Sequence, residues 1–150
     1  PAQWRPTWHR RLPAGRGPLE MIDHLSITTA DLDRAQSFYD AVLGALGYPR
    51  VNRRERAIGY GDRHAADDAP AYISVYLSAN VVPDNRHWCF RAPSRGAVRA
   101  FHRLALAHGG TDDGPPGIRE HYSPAYYAAF VRDPDGNRLE AVTRRPEERE

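Results

Sequence analysis

Three side chains in this sequence of 150 residues are candidates for one shared metal site: His24, His87 and Glu140. Each lies in a short stretch where apolar and polar residues alternate, and Glu140 stands between Leu139 and Ala141. Successive side chains of a strand point to opposite faces, so if Leu139 and Ala141 pack against a helix, Glu140 points away from it. By the same argument both histidines point to that side. Two imidazoles and one carboxylate would suit Fe(II), Mn(II), Zn(II), Ni(II) or Co(II) and leave positions open for substrate and water.

Each of these residues taken alone has a simpler explanation. A histidine in a strand is more often a hydrogen-bonded core residue, and a lone Glu140 would more often pair with an arginine. The metal hypothesis is favoured by an internal repeat. His87 lies 63 residues after His24, and the segments 24–47 and 87–110 share one pattern of strand, capping residue and helix.

The repeat predicts two β-α-β-β-β modules and therefore an α+β fold. In the first module a helix begins after the capping residue Asp31 and ends at Gly47, and a polar loop covers 62–70. The predicted strands of this module cover residues 22–29, 50–61 and 72–77.

The second module restarts with a strand at His87. Ser94 caps its helix and Gly109-Gly110 ends it, and the glycine- and proline-rich segment 111–117 is predicted to be a loop. The final hairpin has strands over 126–132 and 137–143, joined by the tight turn Asp133-Pro134-Asp135-Gly136.

The length and the repeat predict one domain over residues 21–145, made of modules 21–80 and 85–145. Residues 1–20 are expected to form an N-terminal extension, and residues 146–150 a C-terminal tail. Cys89 is the one cysteine, which excludes an intrachain disulfide and is compatible with a reducing cytoplasm. The sequence lacks an apolar run of about 20 residues and the apolar core of a secretory signal, so a soluble, cytoplasmic protein is expected.

The charge pattern argues against nucleic acid as a partner. The formal net charge is +2, several arginines lie near the two ends, and acidic residues interleave with arginine elsewhere. A nucleic-acid-binding domain would concentrate its basic residues on one helix or face. We therefore expect a small-molecule partner.

Four sequence features together resemble one known family. They are Ile22-Asp23-His24-Leu25-Ser26-Ile27, Ala35-Gln36-Ser37-Phe38-Tyr39 with Leu43-Gly44, His87 at the start of the second half, and the hairpin from Phe130 to Glu140. They resemble the vicinal oxygen chelate superfamily, which includes glyoxalase I, bleomycin-resistance proteins, fosfomycin-resistance thiol transferases, methylmalonyl-CoA epimerase and extradiol dioxygenases. The resemblance runs from Met21 to about Arg144.

The resemblance implies a half-open barrel of paired modules around one divalent metal, often in a homodimer whose modules pair within or across chains. His24, His87 and Glu140 match the family's metal positions. The metal would hold adjacent oxygens of the substrate and stabilise an anionic intermediate. Glyoxalase I and the epimerases usually add a fourth ligand from the last strand of the first module, but residues 72–80 contain no carboxylate. Ser26 occupies a position where fosfomycin-resistance enzymes often have a threonine.

Other residues are candidates for catalysis or for the pocket. Arg119 could bind a carboxylate or phosphate, and His121 or Tyr126 could act as a general acid or base. Most tyrosines in strands are packing residues. The candidate pocket residues are Ser26, Tyr72, Tyr76, Tyr122 and Tyr127.

Three functions fit these observations. The first is a metal-dependent lyase, isomerase or thiol transferase of the glyoxalase type that acts on a small substrate with vicinal oxygens. The second is a metal-free protein that sequesters a drug or metabolite, as the bleomycin-resistance proteins do. The third is an extradiol-type dioxygenase, although those enzymes usually have a chain about twice as long.

Overall fold

The computed structural model describes residues 22–62 and 71–147, and within them two β-α-β-β-β units follow one another. The first unit contains β1 (His24–Thr29), α1 (Leu32–Ala45), β2 (Arg50–Arg54), β3 (Ala57–Asp62) and β4 (Ala71–Leu77). The second contains β5 (His87–Arg91), α2 (Arg95–Ala107), β6 (Thr111–Ile118), β7 (Tyr127–Arg132) and β8 (Arg138–Thr143). The predicted α+β fold is confirmed. The predicted N-terminal extension, most of the loop 62–70 and the last three residues of the tail lie outside the described residues.

Each unit forms its own four-stranded sheet with the same strand order. The first sheet has the order β1-β4-β3-β2 and the second β5-β8-β7-β6. The two histidine-bearing strands are edge strands, and each pairs in parallel with the last strand of its own unit. The remaining pairs are antiparallel. The sheets stay open and do not close into a barrel.

The helices begin and end where the sequence predicts. The Asp31 carboxylate accepts hydrogen bonds from the backbone N–H groups of residues 33 and 34, and the Ser94 hydroxyl accepts one from residue 97. Gly47 and Gly109 follow the helices with φ of +88° and +89°, the left-handed conformation that terminates helices. Gly110, which aligns with Gly47 in the repeat, has another role. A Cβ there would lie 2.7 Å from the Phe38 ring, so Gly110 lets the two units approach closely.

The helices pack against each other and against the sheets in one hydrophobic core. Phe38, Val42 and Leu43 of α1 and Val98 and Phe101 of α2 are fully buried. Burial of each such side chain contributes about 1.5–3 kcal/mol. Because one core serves both units, the helix-facing side of each sheet is fixed, and the polar residues of the strands are left on the opposite face.

The segment 111–117 is a strand, contrary to the prediction of a loop. It forms most of β6, which pairs with β7 through register shifts around Gly114. The sequence is misleading because Pro115 and Pro116 lack the N–H group that a central strand needs. β6 is an edge strand with one neighbour, where proline and bulges are tolerated.

The turn of the final hairpin holds the two units together. The Asp135 carboxylate accepts hydrogen bonds from the Thr29 hydroxyl at 2.5 Å, the Ala30 backbone at 3.2 Å and the Arg34 guanidinium at 2.7 Å. These partners lie at the end of β1 and the start of α1. The second unit is thereby attached to the first beside the N-terminus of its helix.

The Asp133 side chain stabilises this turn through hydrogen bonds. Its buried carboxylate accepts hydrogen bonds from the Tyr39 hydroxyl at 2.6 Å and from the side-chain amide of Asn137 at 2.8 Å. It also accepts from the backbone N–H groups of residues 135 and 137. Burial nevertheless raises the pKa of Asp133 above its ordinary value.

The described residues contain the helices α1 and α2. Neither is long and apolar enough to cross a lipid bilayer.

Candidate metal centre

Strand alternation places Glu140 on the sheet face opposite the helices. Its neighbours Leu139 and Ala141 are buried in the core, as the sequence predicts. Glu140 pairs with Cys89 of β5 in the parallel register, and His87, two residues before Cys89, is on the same face of that strand. The fold therefore brings the imidazole of one strand beside the carboxylate of the next.

Both oxygens of the Glu140 carboxylate have partners. Nε2 of His87 lies 3.3 Å from Oε2, and the hydroxyl of Tyr126 donates a 2.6 Å hydrogen bond to Oε1. The Glu140 side chain is only 3% exposed, whereas the His87 side chain is 49% exposed. The pair thus combines a buried, oriented carboxylate with an imidazole that a ligand can reach.

Cys89 and Tyr126, two neighbours of Glu140, keep their protons at neutral pH. Burial, followed by the charge of Glu140, raises the pKa of the Cys89 thiol to about 12. Burial and the hydrogen bond to Glu140 also raise the pKa of the Tyr126 hydroxyl. Cys89 is therefore a thiol rather than a thiolate, and Tyr126 remains a hydrogen-bond donor to the carboxylate.

His24 lies on the other sheet, and the structure does not group it with His87 and Glu140. Its Nδ1 is 2.6 Å from the Asp23 carboxylate, and its Nε2 makes no hydrogen bond with the described residues. Metal-binding histidines usually donate their second ring N–H to a carboxylate in this way. His24 has the features of a ligand, with the Asp23 carboxylate beside it, but the described residues do not place it in a group of three such side chains.

The described residues of one chain therefore provide an incomplete donor set. Residues 22–62 and 71–147 contain no group of three or more His, Cys, Asp or Glu side chains arranged to hold a metal ion. His87 and Glu140 supply one nitrogen and one oxygen, which fit a divalent cation. The set of three ligands remains a prediction that needs a third donor from elsewhere.

The candidate catalytic residues lie at different distances from this pair. Tyr126 contacts Glu140 directly. The Arg119 guanidinium donates a hydrogen bond to the Pro115 carbonyl and lies 5.5 Å from the ring centroid of Phe130, whose Cα pairs with that of Glu140. Arg119 is therefore held above the same face of the second sheet.

His121 is exposed, and its ring stacks 4.1 Å from that of Tyr122, which lies 5.0 Å from the Tyr126 ring. These rings form a row that ends at Glu140. Tyr127 belongs to another environment, since the Arg95 guanidinium lies 5.0 Å from its ring.

The other pocket candidates are in the first sheet. Ser26 and Tyr76 are exposed, whereas Tyr72 is buried and accepts a hydrogen bond from the Asn52 side chain at 2.8 Å. Tyr72 and His24 line one small cavity of about 90 Å³. The structure does not bring any of these residues to Glu140.

Sequence reasoning missed Arg144, whose guanidinium lies 5.0 Å from the Tyr126 ring. The signal was present, because Arg144 stands four residues after Glu140 and alternate residues of a strand share a face. It also missed Asp135 as the residue that joins the two units. No sequence signal identifies Thr29 and Arg34 as its partners.

Comparison with known proteins decides the family. The family model described as Glyoxalase/Bleomycin resistance protein/Dioxygenase superfamily matches residues 21–141. The chain belongs to this superfamily. A glyoxalase/bleomycin resistance protein from Albidiferax ferrireducens is 31% identical, with a TM-score of 0.70, and the match covers 81% of this chain and 98% of that one. The resemblance found in the sequence is thus confirmed.

More distant members of the superfamily share the fold. A glyoxalase-related enzyme from Fulvimarina pelagi is 18% identical, with a TM-score of 0.63, over 83% of this chain and 88% of that one. The fosfomycin resistance protein FosX from Mesorhizobium loti is 15% identical, with a TM-score of 0.58, over 84% and 93%. The search of curated proteins gave no significant match.

Proposed function

We propose that this member of the superfamily is a divalent-metal enzyme of the glyoxalase type, a lyase, isomerase or thiol transferase for a small substrate with vicinal oxygens. The supporting observation is the buried Glu140 carboxylate, with His87 at one oxygen and the Tyr126 hydroxyl at the other. A carboxylate that is 3% exposed is costly unless it is paired or binds a metal. No arginine or lysine among the described residues pairs with it.

We infer that His24 completes the site across a homodimer. Within one chain His24 is not grouped with the pair on the second sheet. Its Nε2 is available, and the exchange of equivalent halves in a symmetric dimer would bring it to the His87 and Glu140 of the partner subunit. Each dimer would then hold two sites, each with two imidazoles and one carboxylate.

The residues of this chain have distinct tasks in the proposed mechanism. His24, His87 and Glu140 would hold the cation, which when bound supplies Lewis-acid stabilisation of negative charge on substrate oxygens. Tyr126 fixes the orientation of the Glu140 carboxylate. Arg119 lies above the same sheet face and is placed to bind an anionic part of the substrate, and His121 is the candidate for moving a proton.

The first test is the metal content of the purified full-length protein after incubation with each candidate metal and removal of the excess. We expect one equivalent of metal per chain for the wild-type protein and none for His87→Ala. A wild-type protein that takes up none of the five metals would overturn the proposal.

The dimer arrangement has a sharper test, in which His24→Ala and Glu140→Gln chains are unfolded, mixed and refolded. Each variant alone should bind no metal. In mixed dimers one of two sites would regain all three ligands, so about a quarter of all sites should bind metal if subunits pair at random. Pairing within one chain predicts no recovery, because every site would then carry one of the two substitutions.

The second candidate is a metal-free protein that sequesters an aromatic drug or metabolite. It is supported by the row of rings formed by His121, Tyr122 and Tyr126, of which the first two are exposed. A protein of this kind would bind aromatic ligands equally well with and without metal. Loss of ligand binding in Tyr122→Ala together with no effect of His87→Ala would favour it.

A further inference from the structure

A cavity of about 510 Å³ lies at the end of the second sheet where β5 and β8 terminate. Three arginines line it: Arg91 from the end of β5, and Arg144 and Arg145 from the segment after β8. We propose that this cavity binds an anionic group, a carboxylate or a phosphate, of the molecule on which the enzyme acts. The assignment to a substrate rests on the proposed function, whereas the binding of an organic anion does not.

Among the residues that the structure describes, the three guanidinium groups have no acidic partner. None of the carboxylates of the described residues forms an ion pair with Arg91, Arg144 or Arg145. The nearby Arg95 and Arg99, by contrast, both pair with Glu147. Like charges that line one cavity repel each other, and a planar carboxylate or a phosphate that accepts hydrogen bonds from two of them would relieve that repulsion.

The strand register relates the cavity to the candidate metal centre. Arg91 is two residues after Cys89 on one face of β5, and Cys89 pairs with Glu140, so the backbones at Arg91 and Glu140 are separated by about 7 Å along the strands. The Arg144 guanidinium lies 5.0 Å from the Tyr126 ring, whose hydroxyl binds Glu140. An anion held by Arg91 and Arg144 would therefore lie close to the residues around Glu140.

The remaining lining is largely apolar, with Leu46, Tyr48 and Val142 among its residues. A bare inorganic ion would leave this surface uncovered. An anion attached to an apolar body would bury it and gain free energy from both parts. The chemical class that fits is thus a small organic carboxylate or phosphate ester rather than a free ion.

The test is a calorimetric or NMR titration of the full-length protein with phenyl phosphate and, separately, with benzoate, in 150 mM salt to screen non-specific attraction. We expect saturable binding of at least one probe, tighter than that of inorganic phosphate. Arg91→Gln and Arg144→Gln should each weaken it about tenfold, as expected for loss of one charge-assisted hydrogen bond. The stronger probe identifies the anionic group.

Arg103→Gln is the matched control, because Arg103 is exposed on α2, does not line the cavity, and its replacement changes the net charge equally. Absence of binding by both probes, or equal affinities in Arg91→Gln, Arg144→Gln and Arg103→Gln, would overturn the proposal. A parallel Mn²⁺ titration separates the two proposals. Probe binding without metal uptake would support the anion site and overturn the proposed metal-dependent enzyme. Metal uptake without probe binding would overturn the anion site alone.

Discussion

The two sheets have the same topology but carry different chemistry on their open faces. In each sheet a histidine starts the edge strand, and the last strand of the unit pairs with it in parallel. Two residues beyond the histidine, the position across the pair is Ser74 in the first sheet and Glu140 in the second. The two sheets therefore have equivalent positions for this side chain, and only the second sheet has a carboxylate there.

This single difference changes the surroundings of each histidine. His87 has a buried carboxylate on the neighbouring strand, whereas His24 has the exposed Asp23 of its own chain segment. A fold built of two similar halves needs only one carboxylate for each shared site if the halves of two chains meet. The first half is then a donor of one imidazole, and the second half is the place where the other ligands and the charged residues lie.

The rest of the two faces differs in the same way. In the first sheet the Tyr72 hydroxyl lies over Gly59, where any Cβ would collide with it, and accepts a hydrogen bond from Asn52. Uncharged side chains therefore occupy this part of the first sheet. In the second sheet Arg119 stands above the face that carries Glu140, and the arginine-lined cavity opens beyond it.

The largest effect should come from removing the carboxylate that distinguishes the two sheets. Glu140→Gln should weaken Mn²⁺ binding by more than about 100-fold, since replacing a residue that only supports a ligand already costs 10- to 100-fold. Ser74→Ala, the matched change in the first sheet, should leave the affinity unchanged. Calorimetric titration of both variants tests this, and equal losses would mean that the difference between the two sheets has no bearing on metal binding.

The second prediction concerns the asymmetric turn through which the second half holds the first. Asp133→Ala leaves the fully buried Tyr39 hydroxyl without its acceptor and should lower the free energy of unfolding by about 2 kcal/mol. Adding Tyr39→Phe should restore part of this loss, because the buried hydroxyl that has lost its acceptor is then removed as well. Urea unfolding of the single and double variants measures both values. Strictly additive losses would contradict a direct role for this hydrogen bond.

Much of the fold could be predicted from the sequence because the signals are local. Alternation placed Glu140 opposite the helices, and the caps Asp31 and Ser94 with Gly47 and Gly109 set the helix limits. β6 could not be predicted, since its prolines and glycines satisfy an edge strand only in the presence of β7. The segment becomes a strand because it pairs with β7 in the folded chain, which its local sequence does not indicate.

The site was predictable in part for the same reason. Strand parity identifies which residues share a face of one sheet, which is sufficient for His87 and Glu140. It contains no information about how two sheets are placed relative to each other, so the position of His24 could not follow from it. Likewise, only the folded chain shows that Tyr126 donates to Glu140, because the two residues lie on different segments.

A smaller effect is expected from the hydrogen bond behind the carboxylate. Tyr126→Phe removes the donor to Glu140 and should weaken Mn²⁺ binding about tenfold, as for other residues that orient a ligand. Tyr72→Phe is the counterpart in the first sheet and should have no effect on the metal. Both can be followed by the same titration. If Tyr72→Phe weakens Mn²⁺ binding more than Tyr126→Phe does, residues of the first sheet other than His24 also contribute to metal binding.

The smallest expected effect concerns the N-terminal caps of the two helices, which differ in whether they titrate. The backbone N–H of residue 34, with further donors, lowers the pKa of Asp31 below its ordinary value of 3.8, while Ser94 caps α2 without a titratable group. A lowered pKa in the folded state stabilises the protein above the unfolded pKa, and this contribution is lost as the pH falls through the folded value. Asp31→Ser should therefore change stability little at pH 7, since both residues are good caps, but should reduce the loss of stability on acidification from about pH 5 to pH 3. Ser94→Asp should increase that loss by giving α2 the same titratable cap. Urea unfolding at several pH values measures both slopes, and parallel curves for the wild-type protein and both variants would show that the caps of the two halves are equivalent.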